Sequence, residues 1–424
     1  MKTDVVIVGG GPAGTGTSLF LSELGIKSTI IEKDTFPRFH IGESLTGETK
    51  NILRGLGLEE KMQDSLHPIK HGVQVYGPAG KSDFWVPSMS YHPSDGKLYK
   101  TSTWHVRRSV FDKMLLDEAI DRGGAFIKGQ AIEPLLANGS GVRGVRVKTS
   151  SGQLQDIQSE VVVDASGPAC FLRGAGLVGE KERGRYVNQV AIFSQVTGAI
   201  RGGDGGKGEG SDNPDNTLIL YQKKNHWAWF IPIDEEVVSI GVVVPSSYFA
   251  SMKESKHDFL VREMRELNPK FAANLANATI VDEVRAVSNY SYHIKEFTGK
   301  GYLCVGDSHR FIDPIFSFGV YFSLSEGRMA SEAIKRYLEG ETRGEPNPFM
   351  DYQRICERGQ DVIQSLIDAF WSQPLAFGYF VHVRHTEDCI NMFSGRVYGE
   401  EPSPGLVAMR ELNTKTLEEG PVSE

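Results

Sequence analysis

The chain is poor in cysteine: 4 in 424 residues, at positions 170, 304, 356 and 389, with no CxxC pair and no metal-ligand spacing. This pattern argues against a disulfide framework or a cysteine-ligated metal, and buried thiols in a reduced compartment are the expectation. Nowhere does an apolar run approach the ~20 residues a membrane helix needs. The N-terminus enters its first apolar run with no basic n-region or cleavage site, so a cytoplasmic protein is expected, with no membrane partner. Positive charge is also short. A formal net charge of -8 argues against non-specific binding of nucleic acid or anionic lipid. There is no internal repeat. Hydrophobic content of 40% and charged content of 24% are ordinary for a globular chain, long enough here for more than one lobe.

What the chain does have begins at its N-terminus. Val5-Val6-Ile7-Val8 reads as a buried strand and Gly9-Gly10-Gly11-Pro12-Ala13-Gly14 as a tight turn into a helix; Thr29-Ile30-Ile31-Glu32 reads as a second strand ending in an acid. Gly9 permits the turn, Gly11 lets the backbone approach a pyrophosphate, and Gly14 lets the helix pack on the strand. The helix N-terminus favours the phosphates, and Glu32 is placed for ribose hydroxyls. An adenine dinucleotide follows, with FAD and NAD both open at this point.

Further along, Phe36 to Leu45 reads on its own as a surface connection into a helix through Leu53, Leu56 and Leu58. Lys70, before the alternating Val73–Tyr76, reads on its own as a solvated residue at a strand edge. Arg108 opens a helix through Leu115 and Ala119, where it calls for an anionic partner. A hairpin is expected around Asn138-Gly139. Val161 to Gly167 reads as another buried strand ending in a small-residue turn. From about 185 to 292 strands alternate in what reads as a mainly antiparallel sheet, interrupted between Gly198 and Asp215 by a Gly-, Asp- and Asn-rich insert expected to be mobile. The strand through Gly306-Asp307 returns to the first lobe. Helices follow, through Ala330 and Leu338 and again from about Pro346, with a frayed tail after Glu418.

With these residues assembled, the chain resembles FAD-dependent enzymes of the p-hydroxybenzoate hydroxylase-like fold, and within them the two-component flavin-dependent halogenases. Gly9, Gly11 and Gly14 with Glu32, Arg108 to Asp112, the turn from Asp164 to Gly167, and Gly306-Asp307 carry the flavoprotein resemblance over most of residues 1 to 340. Trp227-Ala228-Trp229-Phe230-Ile231-Pro232 is similar to the halogenase WxWxIP motif. Phe311 to Gly319 is similar to FxxPxxSxG, and Lys70 matches the active-site lysine. Phe316 stands where tryptophan halogenases have glutamate, and Phe318 where many relatives have Ser or Thr.

The resemblance implies an α/β (α+β) FAD-binding fold with an inserted antiparallel sheet. The halogenase core is expected over 1–345, with FAD-binding parts at about 1–65, 106–184 and 293–345 and a substrate-side sheet at about 66–105 and 185–292; a helical C-terminal segment covers 346–424. The implied cofactor is FAD in its reduced form, contacted by Gly9, Gly11, Pro12, Ala13, Gly14, Glu32, Lys33, Arg38, Ser44, Arg108, Asp164, Asp307, Pro314 and Gly319. Chloride or bromide would lie on the backbone at Phe318 and Gly319. Hypohalous acid would be steered by Lys70, with Ser317 as orienting hydroxyl and Trp227 and Trp229 keeping substrate from flavin; no metal is implied. The substrate class is a phenol or pyrrole, free or on a carrier protein. No second dinucleotide motif is evident, which implies a separate NAD(P)H-dependent flavin reductase. A halide-independent aromatic hydroxylase of the same fold and a flavin-binding protein without turnover are the competing readings.

Overall fold

The computed structural model describes residues 1–418, apart from 92–95, 138–140, 184–186, 203–210 and 289. The strand Val5–Val8 is buried along its whole length. It runs parallel to Ser28–Glu32 on one side and to Val161–Asp164 on the other. A strand covered on both faces tolerates little polar alternation, which is why Val5–Val8 and residues 161–163 read as unbroken apolar runs. Ala125–Ala137 extends the sheet beyond Ser28–Glu32, and Tyr302–Cys304 extends it beyond Val161–Asp164, both in parallel. Short antiparallel strands finish each edge. Ala125–Ala137 and Gly141–Thr149 form the expected hairpin, whose apex at 138–140 lies outside the described residues. The glycine turn, Glu32, Asp164 and Gly306 all follow the carboxyl ends of parallel strands, where open α/β sheets bind ligands.

The second sheet is ordered Thr279–Ile280, Gln189–Thr197, Val238–Pro245, His226–Pro232, Thr217–Lys223, Gly72–Tyr76, Ser82–Pro87. Every pairing is antiparallel except that of Thr217–Lys223 with Gly72–Tyr76. Both faces are buried, and the period of two sorts the side chains between them. Ala228, Phe230, Ile240 and Val242 face a cluster containing Phe259, Leu260 and Phe271. Trp227, Trp229, Ile231 and Val243 face Ile315, Phe316, Phe318 and the C-terminal helices.

One expectation needs correcting. The 185–292 stretch is not strands alone, because three helices, Ser246–Met252, Lys256–Glu266 and Pro269–Asn274, cover the first of those faces. Ser255 and Asn268 cap the latter two by accepting from Asp258 N and Lys270 N, and these are start signals present in the sequence. The Gly198–Asp215 insert is anchored at both described ends: Arg201 donates to Asp215 at 3.3 Å and Ser211 is buried. Residues 203–210 of that insert lie outside the described set.

Helix Gly319–Glu339 leaves the second sheet and crosses the glycine helix Pro12–Glu23, where Ser331 Oγ meets Thr17 O at 3.2 Å. Midway along it Glu326, fully buried, accepts from Gly306 N at 2.6 Å and from Gln360 Nε2 at 2.7 Å, and shares a 2.9 Å hydrogen bond with His309 Nε2. Gln360 belongs to Met350–Ser372, the first C-terminal helix. Among the described residues no helix is long and apolar enough to cross a membrane, and all four cysteines are buried and free. Glu326→Ala strands three buried polar groups and is expected to cost about 3–5 kcal/mol, read as a lower Tm. Glu326→Gln keeps the shape and one acceptor and falls between, whereas an unchanged Tm in both variants would remove Glu326 from this role.

Candidate active site

The glycine turn is shaped by what surrounds it. Gly9 has φ +114°, and a Cβ there would lie 2.2 Å from Ala165 O; a Cβ on Gly14 would lie 1.9 Å from Gly9 O. Both must be glycine for the turn to close between two strands. At Gly11 an added Cβ would meet only Arg38 Nη2, at 3.4 Å, so this backbone faces open space beside a guanidinium. Pro12 and Ala13 begin the helix whose free N–H groups point the same way. Glu32 accepts from Gly10 N at 2.8 Å and from Asp34 N at 2.7 Å, which fixes its carboxylate beside the turn; Lys33 next to it is exposed. An adenine dinucleotide fits this cradle.

The partner that Arg108 requires comes from its own helix. Its guanidinium grips Asp112 at 2.7 and 3.0 Å and donates to Ile41 O at 2.7 Å, while Arg38 reaches the same carboxylate at 3.3 Å. Asp164 accepts from Ser166 N, Ser166 Oγ and Leu172 N, so its oxygens shape the turn after the strand, a use the sequence did not assign to it. Asp307, half-buried, has no hydrogen-bond partner for its carboxylate among the described residues. Burial pushes that carboxyl up to about 7 against the pull of Arg108. An unpaired acceptor at the carboxyl edge of the sheet suits a ligand rich in hydroxyls, as the sugar-alcohol chain of FAD is.

Lys70 departs furthest from its bland reading. It is 3% exposed, in a two-residue strand, Ile69–Lys70, paired with Thr103–Trp104. Its Nζ donates to Ser44 Oγ at 2.9 Å and Leu45 O at 2.8 Å, and Ser44 Oγ lies 2.8 Å from Thr217 Oγ1. Burial alone pulls the ammonium down to about 7. The segment Glu43–Leu45, read as part of a surface connection, is thus interior: Val106 N donates to Glu43 O at 2.7 Å and Leu45 N to Trp104 O at 3.2 Å. Burial raises the Glu43 carboxyl, opposed by the Ser239 hydroxyl. His105, also buried, is held well below its ordinary value by burial and by the charge of Lys70. Thr217, His105 and Glu43 were missed, because only the folded chain brings 43–45, 70, 105 and 217 together.

Trp227 and Trp229 are both buried on one face of His226–Pro232, ring centres 6.0 Å apart. Trp229 Nε1 donates to Ser239 Oγ at 3.2 Å, and Gly241 makes room for the ring, since a Cβ there would come within 2.2 Å of it. Phe316 and Phe318 share their cluster, which brings the WxWxIP and FxxPxxSxG motifs together. Between those phenylalanines Ser317 is half-buried with φ 62°, a left-handed conformation uncommon outside glycine. It ends the short turn begun at exposed Pro314, and Gly319, also exposed, starts the 21-residue helix. No hydrogen bond joins Lys70 to Ser317 among the described residues. The amine reaches the tryptophan strand through Thr217, whose own strand pairs with it.

Comparison with known proteins agrees with this geometry. Residues 2–346 match the family described as FAD binding domain. The 1H-pyrrole-2-carbonyl-(peptidyl-carrier protein) brominase of Pseudoalteromonas luteoviolacea is 37% identical over 379 residues, 89% of this chain and 87% of that protein. The corresponding chlorinase of Pseudomonas fluorescens is 29% identical over 431 residues, 96% of this chain and 92% of that one. The solved structure of the flavin-dependent brominase Bmp2 matches with a TM-score of 0.90 at 33% identity, covering 99% of this chain and 100% of that one. A glycine cradle for FAD, paired tryptophans facing the FxxPxxSxG turn and a buried lysine therefore belong together here for a reason: the chain is a member of the FAD-binding-domain family and, within it, of the flavin-dependent halogenases.

Proposed function

We propose that this halogenase places chlorine or bromine on a pyrrole-type ring carried by a peptidyl carrier protein, and that Lys70 transfers the halogen. Reduced FAD, supplied by a separate NAD(P)H-dependent reductase, activates dioxygen so that halide is oxidised to hypohalous acid. The free N–H groups at the start of Gly319–Glu339 favour a halide ion at Phe318 and Gly319. Trp227 and Trp229 fill the space through which an aromatic ring would otherwise reach the flavin. Ser317, held in its strained turn, offers a hydroxyl with no partner among the described residues to orient the oxidant. The cofactor residues are those of the glycine cradle with Glu32, Lys33, Arg38, Arg108, Asp307 and Pro314.

The observation that carries the reading is the state of the Lys70 amine. With its hydrogens directed at Ser44 Oγ and Leu45 O, and a pKa near 7, the neutral amine keeps a lone pair free. That lone pair attacks the halogen of hypohalous acid: an N–X bond forms, the O–X bond breaks, and the amine proton leaves with hydroxide as water. The ring carbon then takes the halogen from nitrogen, and the proton lost by the ring restores the amine. Sequence similarity to two carrier-dependent pyrrole halogenases supports the substrate class.

Lys70→Ala and Lys70→Arg are expected to lose ring halogenation by at least about 10²-fold, the low end for a proton-transferring catalytic group, while reduced flavin still yields hypohalous acid detectable with a chemical trap. Ring halogenation in Lys70→Arg, whose guanidinium stays charged, would overturn the amine role; oxygen insertion indifferent to halide would overturn the halogenase chemistry. In the wild type the halogenation rate should rise as pH passes upward through about 7, because the amine is the reacting form. Ser44→Ala removes an acceptor that favours the ammonium, so the midpoint should move to lower pH and kcat should fall. Ser44→Thr should restore both, and an unmoved midpoint in Ser44→Ala would dismiss the Ser44 contact as passive.

A further inference from the structure

The C-terminal helices turn one face inward and leave another bare. Pro374–Tyr379 runs into a wide turn of π-helix at Phe380–Arg384, a geometry rare in proteins and frequent at functional sites. Facing inward, the Phe377 ring lies 5.6 Å from Phe84, 6.3 Å from Phe316 with the planes nearly parallel, and 6.2 Å from Phe393. Phe316 immediately precedes Ser317, so this helix walls the cluster that holds the active-site turn. Outward, Leu375, Tyr379 and Val383 form a stripe at four-residue spacing, exposed by 89%, 52% and 65%. In a chain of net charge -8, the whole stretch 369–386 has no Asp or Glu, and Arg384 and His382 stand exposed beside the stripe.

We propose that this stripe, with Arg384, is the surface on which the acidic face of a peptidyl carrier protein docks. The proposal rests on the carrier-borne substrate reading and supplies its interface. A second copy of this chain fits less well. Two-fold pairing through this face would bring together two copies of the same basic patch, whereas an acidic partner complements it. Three apolar side chains also make a small contact, suited to a partner that must leave after each turnover.

The test uses the full chain with FAD and a flavin reductase, and two substrates: a pyrrolyl thioester on a carrier protein, and the same pyrrolyl group on pantetheine alone. The variants are Leu375→Asp/Val383→Asp and, separately, Arg384→Glu. KM for the loaded carrier is expected to rise about tenfold or more, the size of losing one interface anchor, with kcat/KM for pyrrolyl-pantetheine unchanged. Lysines placed on the acidic helix of the carrier should recover the loss in Arg384→Glu. An unchanged KM for the carrier overturns the surface while leaving the carrier reading intact. Loss with both substrates overturns it as well, since the face would then act only through the fold. Sedimentation showing a wild-type dimer that the variants split assigns the stripe to a second copy. If the wild type halogenates pyrrolyl-pantetheine and ignores the loaded carrier, the carrier reading fails and takes this surface with it.

Discussion

Glu326 is a carboxylate with no access to water, and three elements converge on it: the turn before Asp307, the histidine two residues after that aspartate, and Gln360 of the first C-terminal helix. A buried charge is tolerated only where its oxygens are satisfied. The position of the long helix thereby dictates where the Gly-Asp turn sits, and with it Asp307. The same helix begins at Gly319, beside the strained serine. One helix thus ties the Gly-Asp turn to the turn facing the tryptophans, and both turns share one reference frame.

The second sheet faces a different constraint, since neither of its surfaces meets water. Helices 246–274 close one face and the C-terminal helices close the other. The tryptophans therefore sit in a buried aromatic wall, in which Trp229 Nε1 donates to Ser239 Oγ and Trp227 Nε1 has no hydrogen-bond partner among the described residues. The exception is the pocket of Ser44, Thr217 and Lys70, a polar island in which Ser44 Oγ and Leu45 O accept from the amine and Thr217 Oγ1 meets Ser44 Oγ.

How much of this could be read in the chain depended on range. Gly9, Gly11, Gly14 and Glu32 carry their meaning within one strand, turn and helix, so the cradle was legible with its residues. Trp227 and Trp229 were legible as a motif, because both lie on one strand two positions apart. The interior placement of Lys70 was not. It rests on Ser44 and Thr217, which are 173 residues apart, and no local pattern distinguishes such a lysine from one on a solvated edge. Glu326 shows the same limit, for its partners come from 306, 309 and 360. The helices at 246–274 were hidden for another reason: Ser255 and Asn268-Pro269 were adequate start signals, but strong β-branched strands on either side dominated the pattern.

The strand Tyr302–Cys304 lies next to Val161–Asp164, and Thr217–Lys223 lies next to Gly72–Tyr76. Each pairing joins chain segments separated by well over a hundred residues, the kind of contact that forms slowly because a long loop must close first. On a ribosome the strand that leads into Gly306-Asp307 follows the glycine turn only after the inserted sheet between them has been synthesised. The two turns at the carboxyl edge of the first sheet, at Gly9 and at Gly306, therefore come together only after the whole inserted sheet between them has been made.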